Sequence, residues 1–263
     1  MKRQDNILPG TSWAGKVIIS YEETDSTNVR ARIAALEGEA HGTLITAGKQ
    51  TAGRGRRGRS WDSPAGSNLY FTLILKPDFA PDQASMLTLV MAHAVAEAII
   101  GVTGLECRIK WPNDIVVNGK KVCGILTEMS VDKGKIQHVL IGVGVNVGRQ
   151  EFAPELADKA TSLEQETAAR IDERTLLCEI MKAFEKDYES FVRCGNLEPL
   201  QEAYNALLVN RNAAVRVLDP KGEYEGKALG ITKTGELLVE TAEGSLVEVY
   251  AGEVSVRGIY GYV

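Results

Sequence analysis

The chain has 263 residues, 44% of them hydrophobic, and a formal net charge of −5 at pH 7. That is an ordinary globular composition, with room for one large domain and a small one. The acidic balance argues against a general nucleic-acid binder, whose footprint is basic. Residues 1–10 lack the apolar core of an export signal, and the apolar stretch 86–100 carries His93 and Glu97 and is too short to span a bilayer. No membrane partner is therefore expected. Cys107, Cys123, Cys178 and Cys194 have no C-x-x-C spacing, which reads as reduced thiols in a cytoplasmic protein. His41, His93 and His138 are far apart in sequence and form no metal signature.

In chain order, residues 17–19 read as a strand leading into Asp25-Ser26-Thr27-Asn28, where a hydroxyl can cap a helix over 28–36. Residues 43–47 form another strand, delivering the chain to Lys49-Gln50-Thr51-Ala52-Gly53-Arg54-Gly55-Arg56-Arg57-Gly58-Arg59, with Trp61 close behind. Strands follow at 68–75, 109–111 and 115–117, with a buried helix over 83–100 between the first two. Asn118-Gly119 is a strong hairpin signal and returns the chain as a strand over 121–129, with the next at 138–147. Leu176, Leu177, Ile180, Phe184, Tyr188 and Phe191 recur at helical steps, and a last helix covers 199–208. Beyond residue 210 come short strands near 215–217, 224–228, 237–239 and 247–249, separated by turn residues. They predict a small antiparallel barrel, which divides the chain into residues 1–210 and 211–263.

Several segments carry chemistry. The Arg/Gly loop sets four cations on a backbone that glycine lets approach a ligand closely, so it is a candidate clamp for an anion. Three glycines with four mutually repelling cations also predict a mobile loop that orders on an anionic ligand. Asp25-Ser26-Thr27-Asn28 offers small polar groups at a strand-to-helix turn, and Lys110-Trp111-Pro112-Asn113-Asp114 forms a charged, amide-rich corner. Helix capping and turn chemistry explain either of these segments taken singly. In Gly119-Lys120-Lys121-Val122-Cys123-Gly124 a lysine precedes a strand whose Gly124 admits a ligand to the backbone, and Gly142-Val143-Gly144-Val145-Asn146 repeats that device.

The order Asp-Ser-Thr-Asn, Gln-x-Ala-Gly-Arg-Gly-Arg-x-Gly-Arg-x-Trp, Lys-Trp-Pro-Asn-Asp, Lys-x-x-Gly-Ile-Leu and Gly-x-Gly-x-Asn resembles biotin protein ligases from Trp13 to the end of the chain. The closing barrel, with Gly252-Glu253-Val254-Ser255-Val256-Arg257-Gly258, is similar to that family's small C-terminal domain. The resemblance implies an α+β catalytic domain, with a class II synthetase-like mixed sheet and flanking helices, followed by an SH3-like barrel. It implies attack of the biotin carboxylate on the α-phosphorus of Mg·ATP, giving biotinyl-5′-adenylate and pyrophosphate. A lysine amine of the biotin carboxyl carrier protein of acetyl-CoA carboxylase then takes the biotinyl group and AMP leaves.

By the same resemblance, Ser26, Thr27, Asn28, Gln50, Gly53, Arg54, Gly55, Arg56, Lys121 and Gly124 bind biotin. Arg54, Trp61 (packed on adenine), Lys110, Asn113 and Asn146 bind ATP, and Asp114 helps hold Mg²⁺ or orients the amine. Lys121, Arg56 and Arg54 are the catalytic candidates, with Lys121 acting directly on the transition state. Some members of the family dimerise through the central sheet. Others carry an N-terminal DNA-binding module, for which about a dozen residues before the core are too few, so no DNA partner is expected. A lipoate–protein ligase of similar fold is the nearest alternative. RNA binding through the Arg/Gly loop is opposed by the acidic charge and the absence of aromatic stacking signals.

Overall fold

A computed structural model describes residues 1–5, 8–66, 68–219, 222–251 and 255–258. The main sheet contains β1 (Lys2–Asp5), β2 (Val17–Tyr21), β3 (Leu44–Ala47), β4 (Asn68–Leu75), β5 (Cys107–Lys110), β6 (Asp114–Val117), β7 (Lys120–Asp132) and β8 (Lys135–Asn146). Their spatial order is β1-β2-β3-β4-β8-β7-β6-β5. β2 and β3 run parallel, with α1 (Thr27–Leu36) as the crossover between them. The other neighbours in the sheet are antiparallel, so the sheet is mixed. Both two-residue hairpins use the left-handed region: Asn118 and Gly119 have φ of 49° and 74°, and Lys133 and Gly134 have φ of 49° and 78°.

Alternation along the strands feeds two apolar layers. Leu44, Leu73 and Leu75 join the large core under the long helices, whereas Ile45 and Ile74 join a smaller cluster with Ala31, Ala34 and Ala35 of α1. α2 (Leu87–Thr103) packs against α4 (Glu173–Cys194), preceded by the one-turn α3 (Leu163–Glu166) and followed by α5 (Glu198–Leu207). The 3₁₀ turn Pro81–Met86 runs straight into α2. The combined segment of 23 residues, within which an 18-residue window has a mean hydropathy of 1.8, is long and apolar enough to cross a membrane by length and composition. This is longer than the sequence reading of 86–100. Eleven of α2's residues are buried inside the protein, including the consecutive run from Leu89 to Ala96, which is why its sequence has no polar face.

The N-terminal segment is fastened by a single carboxylate. Glu185 of α4 accepts the backbone N–H groups of Ser12, Trp13 and Ala14 at 2.6, 2.8 and 2.8 Å. Burial alone raises this carboxyl, but the Ala14, Trp13 and Ser12 donors outweigh it and hold the group below 4.5. The folded form therefore binds the proton less tightly than the unfolded chain. Its stabilisation is complete above about pH 4.5 and is lost as the pH falls through the lower folded value. Glu185→Ala leaves the buried Ala14 donor and the part-buried Ser12 and Trp13 donors without their carboxylate and should cost about 2–3 kcal/mol in urea unfolding at pH 7. The wild-type advantage should shrink below pH 4.5. Equal stability of the two proteins at pH 7 would contradict this assignment.

The C-terminal unit comprises β9 (Ala214–Leu218), β10 (Tyr224–Ile231), β11 (Leu237–Thr241), β12 (Leu246–Val249) and β13 (Ser255–Gly258), antiparallel in the order β12-β11-β10-β9-β13. The expected barrel is seen as this sheet, which buries Val215, Val217, Ala228, Val239, Val249 and Val256. Of the similar segment 252–258, residues 252–254 lie outside the described residues. The two units share one core: Trp111 Nε1 donates to the Gly235 carbonyl at 3.0 Å, and Asn205 Oδ1 accepts Ile231 N at 2.8 Å. The expected division at 210/211 falls in the turn between α5 and β9.

Candidate active site

Three central strands present a bare floor. Across β4, β8 and β7, Thr72 pairs with Gly142 and Gly142 with Leu126, while Tyr70 pairs with Gly144 and Gly144 with Gly124. Two side chains lie directly on the missing Cβ positions. A Cβ on Gly142 would be 2.1 Å from Asn28 Oδ1, and one on Gly144 would be 2.4 Å from Trp61 Nε1. Trp61 Nε1 is buried without a hydrogen bond. A narrow pocket of about 450 Å³, including its open mouth, lies over this floor, lined by Ser26, Thr27, Asn28, Gln50, Arg54, Gly55, Arg56, Trp61, Asn113, Lys121 and Gly124, with Ile125, Leu126 and Val143.

Its polar wall is a connected chain of hydrogen bonds. Gln50 Oε1 accepts Thr27 N at 2.8 Å and Thr27 Oγ1 at 3.1 Å, and Gln50 Nε2 donates to Ser63 Oγ at 2.9 Å. Thr72 Oγ1 lies 2.9 Å from Thr27 Oγ1 and 2.6 Å from Asn28 Oδ1. Asn28 Nδ2 then donates to Glu128 Oε2 at 2.9 Å. Ser26 occupies the N-cap position of α1, yet its side chain makes no capping bond. The capping role expected of a hydroxyl here is thus not seen, and the Ser26 hydroxyl is not spent on the helix.

The cations arrive by two devices. The Arg/Gly loop is a tight hairpin: Gly55 N donates to Arg59 O at 2.7 Å, Trp61 N to Gly53 O at 2.9 Å, and a 3₁₀ turn spans Arg56–Gly58. These bonds give the loop a defined hairpin turn. Gly53 does not line the pocket: its missing Cβ faces the Trp61 carbonyl at 2.4 Å and Ser63 Oγ at 2.6 Å. The second device is a β-bulge. Ile115 pairs with Cys123 but Val116 pairs with Lys121, which leaves Val122 as the extra residue. Lys121 and Gly124, three apart in sequence, therefore share a face, and Lys121 Nζ lies 3.1 Å from the Gly124 Cβ position.

Lys121 Nζ pairs with Asp114 Oδ1 at 2.6 Å and sits 5.1 Å from the centre of the Trp61 ring. Arg56 donates to Asn113 Oδ1 at 2.8 Å and to the carbonyl of Ala251 from the C-terminal unit. Burial lowers the Arg56 guanidinium from its usual value; Asp114 opposes this, and Arg57 and Arg59 add to it. Arginine stays charged regardless, so the site holds a partly desolvated cation that an anion would relieve.

A wider cleft of about 1980 Å³, including its open mouth, adjoins the narrow pocket. It is lined by Arg57, Arg59, Asp62, Lys110, Asp114, Asn146, Gln150, Phe152, Ala153, Leu156 and Lys159. It shares Gly55, Arg56, Trp61, Asn113 and Lys121 with the pocket. Arg54, expected on both biotin and the nucleotide, lines the narrow pocket and not the wide cleft, whereas Trp61, expected on adenine, lines both. Asn146 Nδ2 donates to Thr161 O at 3.1 Å. Sequence reasoning missed Thr72, Ser63 and Glu128 in the polar wall, and Phe152 and Leu156 in the wide cleft. No motif marks the last two, whereas Thr72 and Glu128 face the site through strand alternation. Among the described residues, the group of close side chains able to ligate a metal is His93, Glu97 and Asp187. It lies between α2 and α4, where His93 Nδ1 is 2.7 Å from Asp187 Oδ2.

The chain is similar to known proteins along most of its length. Residues 21–146 match the biotin/lipoate A/B protein ligase family, and residues 212–257 match the biotin protein ligase C-terminal domain. The bifunctional ligase/repressor BirA of Bacillus subtilis is 40% identical over 248 residues, covering 93% of this chain and 75% of that protein. The biotin–[acetyl-CoA-carboxylase] ligase of Paracoccus denitrificans is 33% identical, covering 89% of this chain and 98% of that protein. A solved biotin protein ligase from Aquifex aeolicus, in complex with biotin and ATP, superposes with a TM-score of 0.80 at 31% identity, covering 92% of this chain and 98% of that one. The chain belongs to the biotin/lipoate A/B protein ligase family, on its biotin protein ligase branch.

Proposed function

We propose that the protein activates biotin with Mg·ATP in the two adjoining clefts and passes the biotinyl group to a lysine of a carrier protein. The observation that carries this reading is the sharing of Lys121 and Arg56 by a small polar pocket and a large cationic cleft. A carboxylate held in the first would meet a triphosphate held in the second at these two cations. Bringing two anions together is the main electrostatic obstacle to adenylation, and preorganised cations in a partly desolvated site lower it.

The biotin carboxylate oxygen forms a bond to the α-phosphorus while the bond to pyrophosphate breaks. Lys121 spans both reacting groups, and Arg56, held by Asn113 and Ala251, covers the new anhydride and excludes water. A carrier lysine amine then attacks the acyl carbon, AMP leaves, and the amine proton passes to solvent or to the departing phosphate. Phe152 and Leu156 supply the apolar surface for the base, with Trp61 closing the biotin side. The wide cleft offers hard oxygen donors in Asp62 and Asp114. That suits a magnesium ion delivered on the triphosphate, which needs only one or two carboxylates from a protein. The ion would neutralise the leaving pyrophosphate.

Biotin is favoured over lipoate because Ser26, Thr27, Asn28 and Gln50 make the inner pocket polar. A cyclic urea needs such groups, and a dithiolane ring does not. Unpaired cysteines, three of them buried, support a reducing, cytoplasmic setting, and the net charge of −5 supports a ligase without specific DNA binding. The expected result is biotin-dependent exchange between ATP and labelled pyrophosphate, abolished by a chelator and restored by magnesium. It should be accompanied by biotinylation of a single carrier lysine. Exchange with lipoate but not with biotin would overturn the substrate.

A further inference from the structure

We infer that Glu128 is a positioning residue that sets which way the Asn28 amide faces, and so decides whether the biotin pocket offers a donor or an acceptor there. This rests on the biotin-pocket reading above. The oxygen and nitrogen of an asparagine side chain are nearly the same size, so packing on Gly142 cannot tell them apart. Thr72 cannot decide either, because its hydroxyl is able to donate or accept. An ionised carboxylate only accepts. With Glu128 Oε2 2.9 Å from Asn28 Nδ2, the NH₂ end must face Glu128 and the carbonyl end must face Thr72, 2.6 Å away. One N–H of Asn28 is used by Glu128, and the pocket ligand meets the other.

Glu128 is itself held by α1, since Arg32 lies 3.0 Å from Oε1; Arg54 of the Arg/Gly loop stands 4.0 Å from the same oxygen. The carboxylate is about a quarter exposed, well placed for a residue that touches no substrate and acts through Asn28. If the amide were released it would sample both orientations, and a flipped carbonyl would oppose the carbonyl of a cyclic urea.

The experiment measures biotin-dependent pyrophosphate exchange in the full chain. Glu128→Ala should raise the KM for biotin about tenfold, leaving kcat and the KM for ATP within about twofold. Glu128→Gln, which keeps an acceptor oxygen, should restore the biotin KM to within about threefold of wild type. Arg32→Ala, which loosens one hold on Glu128 but leaves its acceptor oxygen beside Asn28, should raise the biotin KM by much less than Glu128→Ala and leave kcat and the KM for ATP unchanged. In an Asn28→Ala background, Glu128→Ala should add less than about twofold. Glu128→Gln as damaging as Glu128→Ala would make the charge, and not the orientation of Asn28, responsible and would overturn the inference. So would additive losses in the Asn28→Ala background, or a lower kcat with both KM values unchanged. A wild-type enzyme inactive with biotin is a different result, which removes the substrate reading itself.

Discussion

Lys121→Ala should slow biotin adenylation about a hundredfold, with little change in thermal stability. The ammonium lies 2.6 Å from Asp114 and over the Trp61 ring, where the narrow pocket and the wide cleft meet. Removing one such charge-assisted contact from a partly desolvated site costs about 3 kcal/mol in the transition state, or roughly two powers of ten in rate. The neighbouring Lys120 gives the control. Its Nζ reaches the Ala157 carbonyl at 3.2 Å on the outside of the sheet, so Lys120→Ala should be nearly silent. Pre-steady-state formation of the adenylate separates the two variants, and a damaging Lys120→Ala with an active Lys121→Ala would contradict the facing set by the bulge.

Gly144→Ala should be as harmful by a purely steric route. The new methyl would sit 2.4 Å from Trp61 Nε1 and 2.6 Å from Trp61 Cε2, and an indole is too large to give way by a rotamer change alone. Gly142→Ala meets Asn28 Oδ1 at 2.1 Å, and Asn28 is tied at both ends of its amide. Each should lower kcat/KM for biotin about a hundredfold or more, with an overpacking cost of about 1–3 kcal/mol. Gly124→Ala is the graded case: its closest neighbours are the Trp61 ring at 2.9 Å and the flexible end of Lys121 at 3.1 Å, so its effect should be smaller. Steady-state kinetics with a thermal melt distinguish pocket filling from unfolding. Gly144→Ala with wild-type kcat/KM would show that the floor is not where the substrate ring lies.

The strands of the floor were legible because β4 and β8 are long, apolar and β-branched, and the Asn118-Gly119 and Lys133-Gly134 turns fix the hairpins around them. β1 was not. Its sequence Lys-Arg-Gln-Asp has no apolar alternation, since a strand at the sheet edge packs against little, and only pairing with β2 makes it a strand. The one-turn α3 escaped for the related reason that four residues are too few for a period to register. In the site, the Lys-x-x-Gly spacing marked Lys121 and Gly124, yet the spacing alone puts them on opposite faces of a regular strand. The bulge at Val122 brings them together, and it depends on the register with β6, which no single segment encodes. Thr72 and Glu128 lie in strands that read as ordinary β-sheet; their role follows from Asn28, 44 and 100 residues away in sequence. Trp61 was legible as a ligand-facing aromatic, but its seat on Gly144 and Gly124 required the sheet.

The central claim is that one molecule of biotin and one of ATP meet at Lys121 and Arg56, and that the product stays enclosed there. Mass spectrometry of the ligand released from the enzyme, after incubation with biotin and Mg·ATP without a carrier and rapid gel filtration, tests this directly. The account predicts close to one biotinyl-5′-adenylate per active site, retained by the wild-type protein and largely lost from Arg56→Gly. An enzyme that returns only biotin and ATP, or that retains the adenylate equally well without Arg56, would contradict it.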